Sequence, residues 1–118
     1  MRKILIAGSR DLYPTIKEID YAFHQLVGVK WPNDEDEVVC GLARGVDSQG
    51  ERWGMEYGIT VRFFPAHWDE YGKSAGYRRN AEMVDYCTHG LVFWDRKSRG
   101  TKHTISLLEK SEKPWLLI

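Results

Sequence analysis

The pattern of apolar and polar positions along the chain predicts strands that alternate with helices. Five short apolar runs indicate strands, because such runs are typical of strands buried on both faces; they cover residues 3–7, 37–40, 59–64, 90–94 and 114–118. Between the runs, apolar residues recur every three or four positions, which is the spacing of one helical face. The helices are marked by Ile16, Ile19, Phe23 and Leu26, by the segment 47–57, by Tyr77, Ala81, Val84 and Cys87, and by Thr101, Ile105 and Leu108.

This alternation predicts an α/β protein whose parallel sheet is covered by helices on both sides. The third run alternates apolar and polar residues, as a strand at the edge of a sheet does, and the last run supplies the second edge. Right-handed crossovers then favour the strand order 3-2-1-4-5. The expected architecture is a Rossmann-like three-layer αβα sandwich with a five-stranded parallel sheet. Its ligand crevice would lie between the carboxyl ends of the first and fourth strands.

Length and charge narrow the classes of partner. A chain of 118 residues is expected to form a single domain, residues 1–118. Its 17 basic and 17 acidic residues give no net charge, so general attraction to nucleic acid is not expected. No apolar run approaches the roughly 18 residues of a membrane span, and the polar residues 9–11 end the first run too early for a signal peptide. We therefore expect a cytoplasmic protein with no membrane partner.

Cysteines and histidines give no pattern of a metal site. Cys40 and Cys87 have neither metal-ligand spacing nor the density of a disulfide framework, and their apolar surroundings predict that both are small core residues. His67 and His103 are the histidines whose predicted loops suit acid–base chemistry, and no spacing pairs them around a metal. We therefore predict no metal and name no catalytic residue.

Cations gather in the loops that follow the predicted strands. Those loops hold Arg10, Arg44, Lys73, Arg78, Arg79, Arg96, Lys97, Arg99 and Lys102, against the acids Asp11, Asp47, Asp69, Glu70 and Asp95. The acidic segment 33–37, expected to be a solvated loop, enters its strand from the opposite edge. Charged loops are ordinary on protein surfaces, but this polarity also suits an anionic ligand at the carboxyl edge of the sheet.

Glycine-rich turns occur at the same edge. Residues 8–10 (GSR) follow the first strand, residues 41–47 (GLARGVD) follow the second, and a turn containing Ser98 and residues 100–101 follows the fourth. Ser98 is expected to cap a helix there, and free amides at a helix N-terminus bind phosphate well. No turn has the Walker pattern or a complete GxGxxG. The candidate ligand-binding residues are Gly8, Ser9, Arg10, Gly41, Leu42, Ala43, Arg44, Gly45, Asp47, Arg79, Asn80, Asp95, Ser98, Gly100 and Thr101.

Several of these residues have an alternative, purely structural interpretation. Arg79 either clamps a phosphate or ribose, since a guanidinium suits bidentate contacts, or forms a salt bridge to Glu82 or Asp85. Asp47 either caps the second helix or binds a ribose hydroxyl. Asp95 is a candidate for a ribose or a bound cation.

The long segment after the third strand carries three aromatic residues. Trp68, Tyr71 and Tyr77 either stack on a base or form a lid, or they pack the segment against the body of the protein.

Four segments together resemble one small family. They are GSR (8–10), GLARGVD (41–47), FPAHWDEYGKSAGYRRNAEM (64–83) and FWDRKSRGT (93–101). Their sequence and order resemble the YspA-like, YpsA-related members of the SLOG superfamily, which joins the DNA-processing Smf/DprA proteins and the LOG phosphoribohydrolases. The resemblance implies a Rossmann-like fold and binding, sensing or processing of nucleotide derivatives related to NAD or ADP-ribose. It implies no settled reaction and no defined cofactor beyond that nucleotide-derived ligand.

The resemblance carries over to individual positions. The 41–47 turn is similar to the glycine-rich turn of the DNA-processing relatives, and Arg79, Asn80 and Met83 resemble the RK-x-x-M stretch of the phosphoribohydrolases. Residues 98–101 stand where those enzymes have PGGxGT, a pattern that continues to a catalytic glutamate. Thr104 occupies that position here, which argues against hydrolysis of an N-glycosidic bond. Such hydrolysis is therefore the alternative function, a DprA-like DNA-binding module is the weaker one, and a homo-oligomer is left open.

Overall fold

The computed structural model, which describes residues 1–118, contains one parallel sheet with the predicted order β3-β2-β1-β4-β5. The strands are β1 (Lys3–Gly8), β2 (Glu37–Cys40), β3 (Thr60–Phe63), β4 (His89–Phe93) and β5 (Trp115–Leu117). The helices are α1 (Ile16–Val27), α2 (Val46–Glu56), α3 (Trp68–Tyr71), α4 (Ala75–Tyr86) and α5 (Arg99–Ser111). A 3-10 turn, Gly72–Ser74, joins α3 to α4. The predicted α/β Rossmann-like fold is confirmed.

Successive residues of β1 face opposite sides of the sheet and enter two separate cores. Ile4 and Ile6 pack in one core with α1 and α2, whose largest buried side chains there are Phe23 and Trp53. Leu5 and Ala7 enter the other core with α4 and α5. The central strand is therefore buried on both faces, as a parallel sheet between two helical layers requires. None of the helices has the length and apolar character needed to cross a membrane.

Local sequence signals set the ends of two helices. The Thr15 hydroxyl accepts the Glu18 amide while the Glu18 carboxylate accepts the Thr15 amide, a capping box that begins α1. Ser98 begins α5 in the same way, because its hydroxyl accepts the Thr101 amide. The predicted role of Ser98 as a cap is confirmed. Its position puts the positive end of the α5 dipole at the carboxyl edge of the sheet.

The segment after β3 differs from the prediction. Residues 68–74 form a short helix and a turn rather than an irregular loop, and α4 begins at Ala75. The buried face of α4 includes Asn80, Met83 and Val84, whereas Tyr77 and Ala81 are exposed. The spacing of apolar residues did not predict this buried face, because the face includes the polar residue Asn80.

The acidic segment 33–37 is not a solvated loop throughout, because its last two residues are buried. The Asp36 carboxylate accepts hydrogen bonds from the Arg2 guanidinium, at 2.7 Å from Nη2 to Oδ2, and from the amides of Arg2 and Asn33. Burial alone would raise the pKa of Asp36, but the bonds from Arg2 and Asn33 outweigh it and hold that pKa below its usual value. Glu37 accepts a 2.7 Å bond from the Tyr86 hydroxyl. The prediction was wrong here because composition cannot show a distant partner such as Arg2.

Both cysteines are core residues, as predicted. Cys40 is fully buried at the end of β2, and Cys87 is buried directly after α4. Burial raises the pKa of the Cys40 thiol to about 12, with Asp47 and Glu51 adding to the effect. A thiol held in that neutral form is a poor nucleophile.

Candidate functional site

Ser9 connects three loops at the carboxyl edge of the sheet. Its amide donates to the Phe93 carbonyl at 3.0 Å, and its hydroxyl accepts the Asp95 amide at 3.0 Å, so the loops after β1 and β4 are joined. Its carbonyl accepts the Val46 amide at 3.3 Å, which adds the first turn of α2. Ser9 is only 1% exposed. It therefore builds the rim of the crevice and does not face it.

Gly45 is required for this arrangement. It has a φ of +79°, a left-handed conformation that glycine adopts without strain. A Cβ at this position would lie 2.5 Å from the carbonyl oxygens of both Ser9 and Arg10. Any larger residue would push the loops after β1 and β2 apart.

A small cavity of about 80 Å³ opens beside this junction, at the N-terminus of α5. We call it the inner cavity, and it is lined by Ala7, Gly8, Arg10, Ala43, Asp47, Arg79, Asn80, Met83, Ser98, Gly100, Thr101 and Thr104. It is far smaller than the roughly 300–1,000 Å³ of a complete small-molecule site, so it suits one group of a ligand.

Arg79 and Asn80 form one wall of the inner cavity. The Arg79 Nε donates to the Asn80 Oδ1 at 3.1 Å, and the Asn80 Nδ2 donates to the Gly100 carbonyl at 3.3 Å. The second bond ties α4 to the first turn of α5, and the first holds the Arg79 side chain against its neighbour Asn80. Arg79 takes part in none of the ion pairs of the structure, so the salt bridge to Glu82 or Asp85 is not formed. A Cβ at Gly41 would lie within 3 Å of the Arg79 guanidinium and of the Asp47 carboxylate, so a larger residue there would displace these two side chains.

Asp47 lies at the base of the inner cavity and is 6% exposed. Gly45 holds the cap position of α2 without a side-chain bond, so of the two alternatives for Asp47, the one in which it caps this helix is not realised. Burial raises the pKa of Asp47 to about 7, although Arg79, Arg10 and the backbone of Gly41 and Ala43 act to lower it. Near neutral pH this carboxyl group therefore exists in both its protonated and its ionised form.

Asp95 organises the turn into α5. Its Oδ1 accepts the amides of Lys97 at 2.8 Å and Ser98 at 2.9 Å. These bonds lower the pKa of Asp95. Asp95 lies outside the inner cavity and presents Ser98, which lines it.

Two wider cavities adjoin the inner one, and Arg10 and Arg79 line all three. The outer cavity, about 440 Å³, is lined by Arg10, Leu42, Ala43, Arg44, Pro65, Ala66, Trp68 and Arg79. The side cavity, about 210 Å³, is lined by Arg10, Trp68, Lys73, Gly76, Tyr77, Arg79, Asn80 and Gly100. Arg44 also forms an exposed ion pair with Asp11 at 3.2 Å.

The structure brings together most of the predicted site residues. Nine of the fifteen line the inner cavity, namely Gly8, Arg10, Ala43, Asp47, Arg79, Asn80, Ser98, Gly100 and Thr101. Leu42 and Arg44 line the outer cavity instead. Ser9, Gly41, Gly45 and Asp95 line none of the three and shape the loops around them.

The candidate residues did not include Ala7 and Met83, which also line the inner cavity. Ala7 is predicted only as part of the first strand, and Met83 is named only as part of the stretch that resembles RK-x-x-M. Thr104, named for its position relative to the phosphoribohydrolase glutamate, does line the inner cavity. Its hydroxyl donates to the Gly100 carbonyl at 3.2 Å.

Several predicted edge cations lie outside the cavities. The Arg78 guanidinium lies 4.3 Å from the centre of the Tyr71 ring, and its Nε donates to the Ser74 hydroxyl. Arg96 lies over the Trp94 ring. Proximity along the chain therefore did not separate the arginines that face the crevice from those that do not.

The histidines also lie outside the inner cavity. The ring of His103 packs edge-on against Tyr77, with ring centres 4.7 Å apart, and its buried Nδ1 has no hydrogen-bond partner. Burial lowers the pKa of His103, and Lys110 adds to the effect. No group of three or more His, Cys, Asp or Glu side chains is arranged to hold a metal ion.

Comparison with known proteins gives one informative match. The chain is 34% identical, over an alignment of 123 positions, to the Gene 61 protein of Mycobacterium phage D29, covering 97% of this chain and 94% of that protein. No protein-family model matches. No solved structure matches either.

Proposed function

The chain belongs to the family of the Gene 61 protein of Mycobacterium phage D29. From the geometry of the site, we propose that it binds a nucleotide or nucleotide derivative whose phosphate occupies the inner cavity. The observation that carries the proposal is the meeting of Arg10 and Arg79, neither of them in an ion pair, at the N-terminus of α5. The first amides of a helix have no acceptor within the helix, and its dipole favours an anion there. Phosphate satisfies both requirements.

The position of the cavity supports a nucleotide over a free anion. The cavity is lined by Ala7 and Gly8 at the carboxyl end of β1 and by the first turn of α5, which follows β4. The direction of strand order reverses at β1 and β4, and open α/β sheets bind their ligands at such a point. The outer cavity, which shares Arg10 and Arg79 with it, is large enough for a nucleoside. NAD- and ADP-ribose-related compounds are the ligands we propose within this class.

The test is a titration of the protein with AMP, ADP-ribose, NAD and cyclic ADP-ribose, followed by thermal shift and calorimetry. Arg79→Ala is expected to weaken binding about tenfold or more, because a hydrogen bond to a charged group contributes roughly 1.5–3 kcal/mol. Its melting temperature should stay close to that of the wild type, since Arg79 forms no ion pair.

Arg52→Ala is the matched control for this experiment. It removes an exposed arginine of α2 that lines none of the three cavities and takes part in none of the ion pairs, so binding should be unchanged. Equal affinity in Arg79→Ala and the wild type would refute the role of Arg79. Absence of stabilisation by every one of the four compounds would refute the proposed function.

A second candidate function is hydrolysis of an N-glycosidic bond in such a ligand, and Asp47 is the observation that favours it. A carboxyl group with a pKa of about 7 inside the cavity suits general acid–base catalysis. Against it, α5 presents Thr104 to the cavity where the phosphoribohydrolases carry a glutamate. A chromatographic assay for free base after incubation with AMP separates hydrolysis from binding.

Membership of a wider superfamily is part of the proposal that this protein binds a nucleotide. Membership of the SLOG superfamily is supported by the order of the four motifs and by the inner cavity, which all four help to line. A cytoplasmic location stays a prediction, for cell fractionation to test, and the oligomeric state is a question for light scattering.

A further inference from the structure

We propose that the outer cavity is a base-binding subsite in which the indole of Trp68 stacks on the nucleobase of the ligand. This inference rests on the proposed function, because it assigns the base of the nucleotide whose phosphate lies in the inner cavity. Neither the charge pattern nor the glycine turns indicate where a base would lie.

Trp68 is a large apolar side chain that the protein itself leaves uncovered. It is 52% exposed, and its ring packs against no other aromatic ring and no cation. Trp31, which is 53% exposed, differs because its ring packs on Tyr57 and is covered by Lys30. Leu42, also exposed, lines the same cavity as Trp68. Exposed apolar surface concentrated in one cavity is typical of a binding site.

The contact between Trp68 and α4 holds the indole near the crevice. A Cβ at Gly76 would lie 3.3 Å from Cη2 of Trp68, so the glycine lets the six-membered ring approach the first turn of α4 closely. Trp68 belongs to the segment 65–74, which we call the strap. The strap is tied back to α4 by the Arg78 contact with Tyr71 and by the bond from Arg78 to Ser74. The indole is thus positioned by packing and does not hang from a free loop.

The cavities are connected in the way that a nucleoside phosphate requires. Arg10 and Arg79 line both the inner and the outer cavity, so a phosphate held by these arginines in the inner cavity places the attached sugar at the opening of the outer one. Beside its three arginines, the outer cavity also has apolar lining from Leu42, Pro65 and Trp68. The phosphate of one ligand molecule would therefore contact the arginines of the inner cavity, while its planar base would contact the apolar side chains of the outer cavity.

The chemistry of the outer cavity favours a flat ring without strong selection among bases. No carboxylate, amide or hydroxyl side chain lines it, so its side chains offer hydrogen-bond donors and no acceptor. Recognition would depend on stacking, to which every base contributes a π-face, and arginine planes can add to it. We therefore expect purine and pyrimidine nucleotides both to bind, with affinity following stacking strength.

The experiment compares AMP with ribose 5-phosphate, which has the same phosphate and sugar but no base. Both are titrated by calorimetry into the wild type, Trp68→Ala, Trp68→Phe and Trp31→Ala. Trp68→Ala is expected to weaken AMP binding about tenfold, within the roughly five- to hundredfold that loss of one stacking side chain causes. Ribose 5-phosphate should bind Trp68→Ala within twofold of the wild type. Trp68→Phe should keep most of the AMP affinity, and Trp31→Ala should bind both compounds like the wild type.

The outcomes separate this inference from the function on which it rests. If the wild type binds both compounds but Trp68→Ala binds AMP unchanged, or loses both compounds equally, the base subsite is wrong while phosphate binding stands. If the wild type binds neither compound, the proposed function and the base subsite both fail. Melting curves of the two Trp68 variants show whether the strap still folds, and Trp68→Phe decides the question if Trp68→Ala does not.

Discussion

At the scale of single residues, the site depends on a buried carboxyl group among arginines. Asp47 is 6% exposed and faces Arg10 and Arg79, yet burial has the largest effect on its pKa. The protonated form is favoured because the interior solvates the ionised form poorly. A neutral Asp47 leaves the two arginines free for an anion, whereas an ionised Asp47 competes with it.

Asp47 makes stability depend on pH in a defined direction. Its pKa is about 7 in the folded protein against the ordinary 3.8 of an aspartate in the unfolded chain, so between these values the folded state holds a proton that the unfolded state has lost. The free energy of unfolding should therefore fall as pH rises from 4 to 7 and change no further through Asp47 above that. Asp47→Asn should remove this dependence and be more stable than the wild type at pH 8 by roughly 2–4 kcal/mol, since one pKa unit is worth ~1.4 kcal/mol.

Urea denaturation of both proteins at pH 5 and pH 8 measures this difference. Asp34→Asn, which changes an exposed carboxylate of the loop before β2, is the control and should follow the wild type at both values. Lower stability of Asp47→Asn at pH 8 would mean that the ionised carboxylate stabilises the fold through the arginines.

At the scale of elements, the sequence predicted the regular parts and missed what tertiary contacts decide. Apolar runs located all five strands to within two residues. For β1, β2 and β4 the reason is that strands buried along nearly their whole length have little freedom in composition. The helix in the strap, Trp68–Tyr71, has only four residues, which is too short for a helical spacing of apolar residues to be recognised in the sequence. Asn80 can be buried because its side chain donates to the Gly100 carbonyl, 20 residues away in the chain. A local sequence pattern cannot show so distant a partner.

The first turn of α5 supplies a prediction at this scale. Ser98→Ala removes the cap of α5 and Thr15→Ala removes that of α1, and each should cost about 1 kcal/mol of stability. Only Ser98→Ala should also weaken the binding of ADP-ribose, because fraying of this turn displaces amides beside the inner cavity. Thermal melting and calorimetry measure the two effects. If Ser98→Ala loses as much stability as Thr15→Ala but binds ADP-ribose as tightly as the wild type, the phosphate does not lie at this turn.

At the scale of the whole molecule, charges that balance in number are separated in space. The protein has no net charge, yet Arg10, Arg44, Lys73 and Arg79 line the three cavities against the single acid Asp47. Buried Asp36 and Glu37 lie at the amino end of β2, the opposite edge of the sheet. The composition shows that basic and acidic residues are equal in number. The polarity arises because the loops after parallel strands all lie at one edge of the sheet. Side-chain packing, which the sequence does not show, decides which of the cations face the crevice.

This polarity should appear as a dependence of binding on salt. The screening length falls from roughly 10 Å at 0.1 M salt to about 3 Å at 1 M, so the cavity cations attract an anion less as salt rises. ADP-ribose should bind several-fold more weakly at 1 M than at 0.1 M sodium chloride, as measured by calorimetry. Adenosine, which carries no charge, is the control. An equal response of both compounds would show that the cations contribute little to affinity.

The junction at Ser9 limits how this site can diversify. One serine joins the turns that follow β1 and β4 to the first turn of α2, and Gly45 has no room for any side chain. A change at either position would disturb every wall of the crevice together. New ligand preferences in descendants of this protein must therefore arise at the periphery, in the strap and at positions such as Leu42, while the central scaffold is inherited unaltered.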